Sequence, residues 1–188
     1  SAGESAGTAL FMMKDSTVNL MPGLGKKIIF NDNIADDSAS SYGGASYASG
    51  SGADIHIQGN GGLVEFNGEN TYSGETYLEG ATLSATLGTG INDNSRIVFA
   101  GTGTSTVVNG TTYTDNLSLG SVGTLLLSED LTSRRVGKRS IDVTWEGTGG
   151  IASGKTDGIA VNFGKIDDTT GQELAWGSNG FFNRKSVV

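Results

Sequence analysis

Short alternating or apolar runs recur from end to end of this chain, and no segment spaces apolar residues at the i, i+3, i+4 intervals of a helix. The clearest case is NGENTYSGETYLEGATLSA, residues 67–85. Thr76 and Leu78 point one way while Glu75, Tyr77 and Glu79 point the other; past Gly80, Ala81, Leu83 and Ala85 face opposite to Thr82 and Ser84. Asn70, Ser73, Gly74 and Gly80 supply turn chemistry, because Asn and Ser hydrogen-bond their own backbone and Gly accepts positive φ without strain. The stretch predicts strand, turn, strand. The same alternation predicts strands at Val18 and Leu20, Ile28 to Phe30, Ile55 and Ile57, Val64 and Phe66, and Ile97 and Phe99. It continues at Leu117 and Leu119, Leu125 to Leu127, Ile141 to Trp145, and Ile159 to Phe163.

Two all-β architectures satisfy that pattern. A sandwich or barrel needs hairpins with two-residue turns at regular spacing. A parallel β-helix needs short strands separated by polar corners, each stacked on its counterpart one coil later. The 31 glycines beside a single proline, Pro22, point to many bends between hydrogen-bonded strands. Short strands, small inward residues (Thr76, Ala81, Ala85) and only 7% aromatic content favour the β-helix, as one domain over residues 1–188. DDSASSYGGASYASGSGAD, residues 36–54, is too long for a hairpin turn and predicts a protruding loop. NGTTYTDN, residues 109–116, reads as a polar connection. The poorly patterned tail, residues 167–188, predicts an irregular cap with Trp176, Phe181 and Phe182 over the last coil. Such a cap would cover unpaired edges that otherwise invite end-to-end self-association.

Twenty acidic against twelve basic residues give a net charge of −8, which repels phosphate backbones and anionic lipid. Nucleic acid is excluded as a partner on this reading, and so is direct membrane insertion, since apolar runs fall far short of the ~18 residues of a spanning helix. The absence of cysteine removes disulfides and thiolate zinc sites. The opening SAGESAGTALFMMKD lacks a basic region followed by an apolar core, so the expectation is a processed product or an excised piece without a secretory signal.

GNGGLVEFNGENTYSGETYLEGATLSATLG, residues 59–88, resembles the passenger-associated transport repeat of bacterial autotransporters. Asn70, Thr71, Tyr72, Gly74, Thr76, Gly80 and Leu83 sit where that repeat wants them, with Gly61, Leu63 and Gly68 more loosely placed. The chain departs by carrying Ala81-Thr82-Leu83 where Gly-Thr-Leu is commoner, and Glu65-Phe66 in the first strand. GKKIIFNDNI, residues 25–34, is similar to a strand that often precedes the repeat. The resemblance covers about a sixth of the chain. It implies a right-handed parallel β-helix exported by a separate C-terminal translocator barrel that these residues do not include. The implied role is a stalk and secretion-competent scaffold contributing to adhesion or virulence, secreted or on the bacterial cell surface.

The remaining motifs carry little chemistry. GGIASGKT, residues 149–156, matches the phosphate-cradling loop G-x-x-x-x-G-K-[ST], but DGIAVNFG after it alternates as a strand where a helix must start, so a Gly-rich corner is the expectation. His56, the only histidine, lies on the polar side of its strand beside Asp54, with no Gly-x-Ser-x-Gly elbow to serve. Asp32, Asp36 and Asp37, and Asp167 with Asp168, are the carboxylate candidates; all read as solvated loop charge. GSGAD, residues 50–54, is one defective copy of a calcium nonapeptide, with His56 where an apolar residue is needed. Asn109 and Asn116 begin N-x-[ST] sequons, which mean little if the source is bacterial, as the resemblance implies. SRRVGKRS, residues 133–140, gathers Arg134, Arg135, Lys138 and Arg139 and reads as a solvated linking loop, with a glycan contact or a protease-sensitive site as the sharper alternatives. No catalytic residue, cofactor or metal ligand is expected, and the chain is read as a non-enzyme. The alternatives are a surface binding a host-cell glycan or matrix protein through loops 36–54 and 133–140, and a β-helix polysaccharide lyase or hydrolase.

Overall fold

The computed structural model describes residues 7–38, 52–103, 106–108, 111–113, 120–139 and 141–164. Leu117, Leu119, Asp167, Asp168, Asn109, Asn116, the tail 167–188 and the middle of the 36–54 stretch lie outside them. In chain order the strands are β1 (Leu10–Met12), β2 (Thr17–Leu20), β3 (Lys27–Phe30), β4 (Ile34–Asp36), β5 (Asp54–Ile57), β6 (Leu63–Phe66) and β7 (Thr76–Leu78). They continue as β8 (Thr82–Ala85), β9 (Ile97–Phe99), β10 (Thr106–Val108), β11 (Thr111–Tyr113), β12 (Gly123–Leu127), β13 (Val143–Trp145) and β14 (Gly149–Ser153). Among the described residues there is no helix.

Two five-stranded parallel sheets carry the fold, in the orders β13-β9-β7-β5-β2 and β14-β12-β8-β6-β3. Neither closes on itself. β1 pairs β4 in a separate parallel ribbon, and β10 pairs β11 antiparallel. The strand-turn-strand of residues 67–85 is thus no hairpin: β7 and β8 lie in different sheets, each hydrogen-bonded to strands distant in sequence. The chain repeats that step, sending β2 then β3, β5 then β6, β7 then β8, β9 then β12, and β13 then β14 to the two sheets in turn.

Register puts like upon like. Val18, Ile55, Thr76, Ile97 and Val143 stack across one sheet, followed two residues on by Leu20, Ile57, Leu78, Phe99 and Trp145. Across the other run Ile28, Val64, Leu83, Leu125 and Ile151. These rows form one core, in which Ile55, Ile57, Val64, Leu78, Leu83, Ile97, Phe99 and Leu125 are fully buried. Size varies along a row: Phe30 and Phe66 meet edge to face at 5.7 Å, with the small Ala85 next, and Phe99 stacks on Trp145 at 4.8 Å. The inward assignments of Thr76, Ala81 and Ala85 hold.

Four segments differ from expectation. Both ends of the predicted 36–54 loop belong to the packed body: Asp36 closes β4 fully buried, Ala53 is fully buried, and Asp54 opens β5. Residues 149–153, read as a corner, form β14, because β12 offers a full parallel edge and Gly149 lies flat on Phe99, where a Cβ would overlap the ring. Residues 159–163 make only the bridge of Val161 to Leu131. The polar stretch 109–116, read as a connection, contains β11, paired antiparallel to β10. Phe99, held between Leu78 and Trp145, tests the packing: Phe99→Ala is expected to cost about 3–5 kcal/mol in chemical denaturation.

Candidate functional site

Gly68, Asn70, Thr71, Tyr72 and Gly74, five of the residues on which the sequence resemblance rests, lie in the bend between β6 and β7, where no strand satisfies the backbone. Asn70 is buried and does so with its side chain: the Ile34 N–H donates to its Oδ1 (2.7 Å), and its Nδ2 donates to the Gly90 carbonyl (2.8 Å). Its own N–H reaches the Thr89 carbonyl, and the Thr71 N–H reaches Ile34. Tyr72 is fully buried, its hydroxyl 2.7 Å from Thr76 Oγ1, which lies 2.7 Å from Ser95 Oγ; burial pushes the phenol pKa upwards. Asn92 donates to the Tyr72 carbonyl (2.5 Å). Asn70, Tyr72 and Thr76 thus bind the segments on either side of them into one polar core. Gly74 lies against Ala53, where a Cβ would overlap that carbonyl, and Gly61 has φ +75°. Gly68 and Gly80 also face backbone carbonyls closely. Leu83 is fully buried in β8, whereas Leu63 is only half-buried on the outer side of β6.

Asp36 joins this core and is no solvated loop charge. The N–H groups of Ala53 and Ser73 donate to its Oδ2 at 2.9 and 2.7 Å, and Ser38 Oγ donates to Oδ1. A carboxylate replacing missing strand partners has no period-two signature, so alternation could not reveal it. Asp32 is exposed and Asp37 half-buried, so the three acids form no constellation.

The basic segment 133–140 is likewise corrected. Arg134 is fully buried, its guanidinium donating to the carbonyls of Ser95 (2.8 Å), Ile141 (3.3 Å), Ile91 (3.0 Å) and Asn92 (2.9 Å). Burial lowers its pKa, opposed by Asp93, Tyr72 and Asp142. Val136 is buried and bridged to Val143, with the Val143 N–H on the Arg135 carbonyl (2.7 Å) and the Gly137 N–H on the Val143 carbonyl (3.0 Å). Residues 135–137 therefore cover the outer edge of β13. Arg135, Lys138 and Arg139 remain exposed, and Arg139 is tied to the buried Asp142 (3.0 Å), which raises its pKa.

Ionisable side chains gather on the outer face of β5 and β7. His56 stacks on its register partner Tyr77 (4.3 Å between rings), and His56 Nδ1 lies 2.8 Å from Glu79 Oε1. The Tyr77 hydroxyl donates to Glu75 (2.6 Å), and Arg96 pairs with the same carboxylate. Burial, then the bond to Glu75, push the Tyr77 pKa upwards. Asp54 Oδ1 accepts from the Glu75 N–H (2.7 Å); burial raises the Asp54 pKa above that of an ordinary carboxyl. A shallow cleft of about 380 Å³ opens beside Glu79 and Gln58. Among the described residues no group of three or more His, Cys, Asp or Glu side chains could hold a metal ion. In GGIASGKT the strand β14 runs into a turn at residues 154–157, with no helix to aim its N–H groups at a phosphate. Compared with known proteins, the chain matches no family model, no curated protein and no solved structure.

Arg134→Met would leave its buried carbonyls without a donor and is expected to cost about 3 kcal/mol or more. Limited trypsin digestion should spare Arg135, Lys138 and Arg139 in the folded wild type and cut there in the variant. A raised folded-state pKa makes ionised Asp54 a source of instability at neutral pH that disappears once the carboxyl is protonated. Asp54→Asn should therefore raise Tm at pH 7, with the advantage shrinking as pH falls through the folded Asp54 pKa and vanishing below the ordinary value of 3.8.

Proposed function

We propose that residues 1–188 are a segment of right-handed parallel β-helix from an autotransporter passenger, displayed at the cell surface or released from it as a stalk and secretion-competent scaffold. The observation that carries this reading is the repeated step of the chain between two parallel sheets, with Asn70, Tyr72 and Thr76 fastening the bend between them. Those are the positions at which the sequence resembles the transport repeat. A stack of this kind builds on strands already in place, so a chain emerging through a pore can fold segment by segment and resist sliding back. It does so without disulfides, since the chain has no cysteine.

The reading is tested by fusing residues 1–188 ahead of an outer-membrane translocator barrel and measuring surface exposure with an antibody against an N-terminal tag. Wild type is expected at the surface, and Asn70→Ala with Tyr72→Ala should lower the signal at least about fivefold at equal synthesis, each substitution removing a buried partner worth about 1–3 kcal/mol. Export indifferent to both substitutions would remove the link between this bend and secretion.

A further inference from the structure

The chain holds four Asn-Gly pairs, and two of them, Asn60-Gly61 and Asn67-Gly68, lie among the described residues. Glycine after asparagine leaves the next main-chain nitrogen unshielded, because no Cβ stands beside it. Both asparagines are exposed, but the nitrogens that follow them are held differently. The Gly61 N–H donates to the Gly80 carbonyl at 3.0 Å, whereas the Gly68 N–H makes no hydrogen bond among the described residues. Asn67 directly follows β6, its Nδ2 donating to Asn31 Oδ1 at 3.0 Å. Gly68 is fixed by packing: a Cβ there would meet the Asp32 carbonyl oxygen at 2.3 Å, so the fold itself requires the residue that makes its neighbour reactive.

We propose that Asn67-Gly68 is a self-modifying site, deamidating in the folded chain ahead of Asn60-Gly61 with water as the only co-reactant. The Gly68 nitrogen, giving up its proton, bonds to Asn67 Cγ; the Cγ–Nδ2 bond breaks, and Nδ2 takes up a proton and leaves as ammonia. Water then opens the resulting succinimide ring at either carbonyl, giving aspartate or iso-aspartate at position 67. At Gly61 the same attack must first give up the bond to Gly80, which slows it about fivefold, the factor that one net hydrogen bond is worth. The two products differ in consequence. Aspartate keeps the backbone, and the Asn31 amide can turn its Nδ2 towards the new carboxylate. Iso-aspartate inserts a methylene into the main chain between Phe66, in register in β6, and the buried Asn70, whose bonds to Ile34 and Gly90 are directional. This chemistry is independent of export.

The test incubates the full chain, folded, in mildly alkaline buffer beside the same chain in urea, and maps its peptides by fragmentation that separates aspartate from iso-aspartate. Position 67 is expected to convert about fivefold faster than position 60 in the folded chain, and at a comparable rate in urea, where the Gly61 bond is gone. Hydroxylamine, which cleaves the succinimide, should cut the folded chain between residues 67 and 68 before it cuts between 60 and 61, and should leave 67–68 intact in Asn67→Ser. The iso-aspartate form, separated by ion exchange, is expected to melt at a lower temperature than Asn67→Asp. Position 67 inert when folded although reactive in urea, position 60 converting as fast, or a difference that persists in urea would each overturn the proposal. Equal Tm for the iso-aspartate form and Asn67→Asp would overturn the predicted effect on the bend.

Discussion

A parallel sheet stacked from short strands must hydrogen-bond the backbone where the chain leaves one sheet for the next, and the fold depends on how it meets that demand. At the bend before β7 the amide of Asn70 stands in for strand neighbours, accepting from residue 34 and donating to residue 90. Asn70 is buried, and an apolar side chain there would leave both groups without this partner. Tyr72, Thr76 and Ser95 extend the network inward, so the position of each segment is fixed by directional bonds as well as by packing.

Two charged groups do equivalent work at other bends. Asp36 gathers backbone N–H groups where the chain re-enters at Ala53, and Arg134 gathers carbonyls beneath residues 91–95. One supplies only acceptors and the other only donors, which suits a bend that turns one kind of backbone group inward. The charges on the outer face of β5 and β7 sit in a different setting. Glu75, Tyr77, Glu79 and His56 are half-exposed and paired among themselves, so they order a surface without being needed to close the core.

Much of this was legible in residue order alone. Inward and outward positions over 75–85 follow the alternation residue by residue, because β7 and β8 each bury one face in the core and leave the other half-exposed. Partnership was less legible: β7 pairs with β5 and β9, and local pattern holds no record of which distant strand lies alongside. Arg134 and Asp36 were missed because a charged residue in a polar stretch looks the same whether it faces water or a ring of carbonyls. β14 was missed because Gly149 and Gly150 are poor strand formers, overridden by the edge that β12 presents.

The β10–β11 hairpin enters between β9 and β12, yet the rows on either side keep their register as if it were absent. The same is true of the long stretch between β4 and β5. Pairing here is decided across strands, so the length of chain between two of them is nearly free to change, at an entropic cost that grows only with the logarithm of loop length. Such a body can accept new loops at its bends without relearning how to fold, which makes it a frame on which surface recognition can diversify while the frame stays constant.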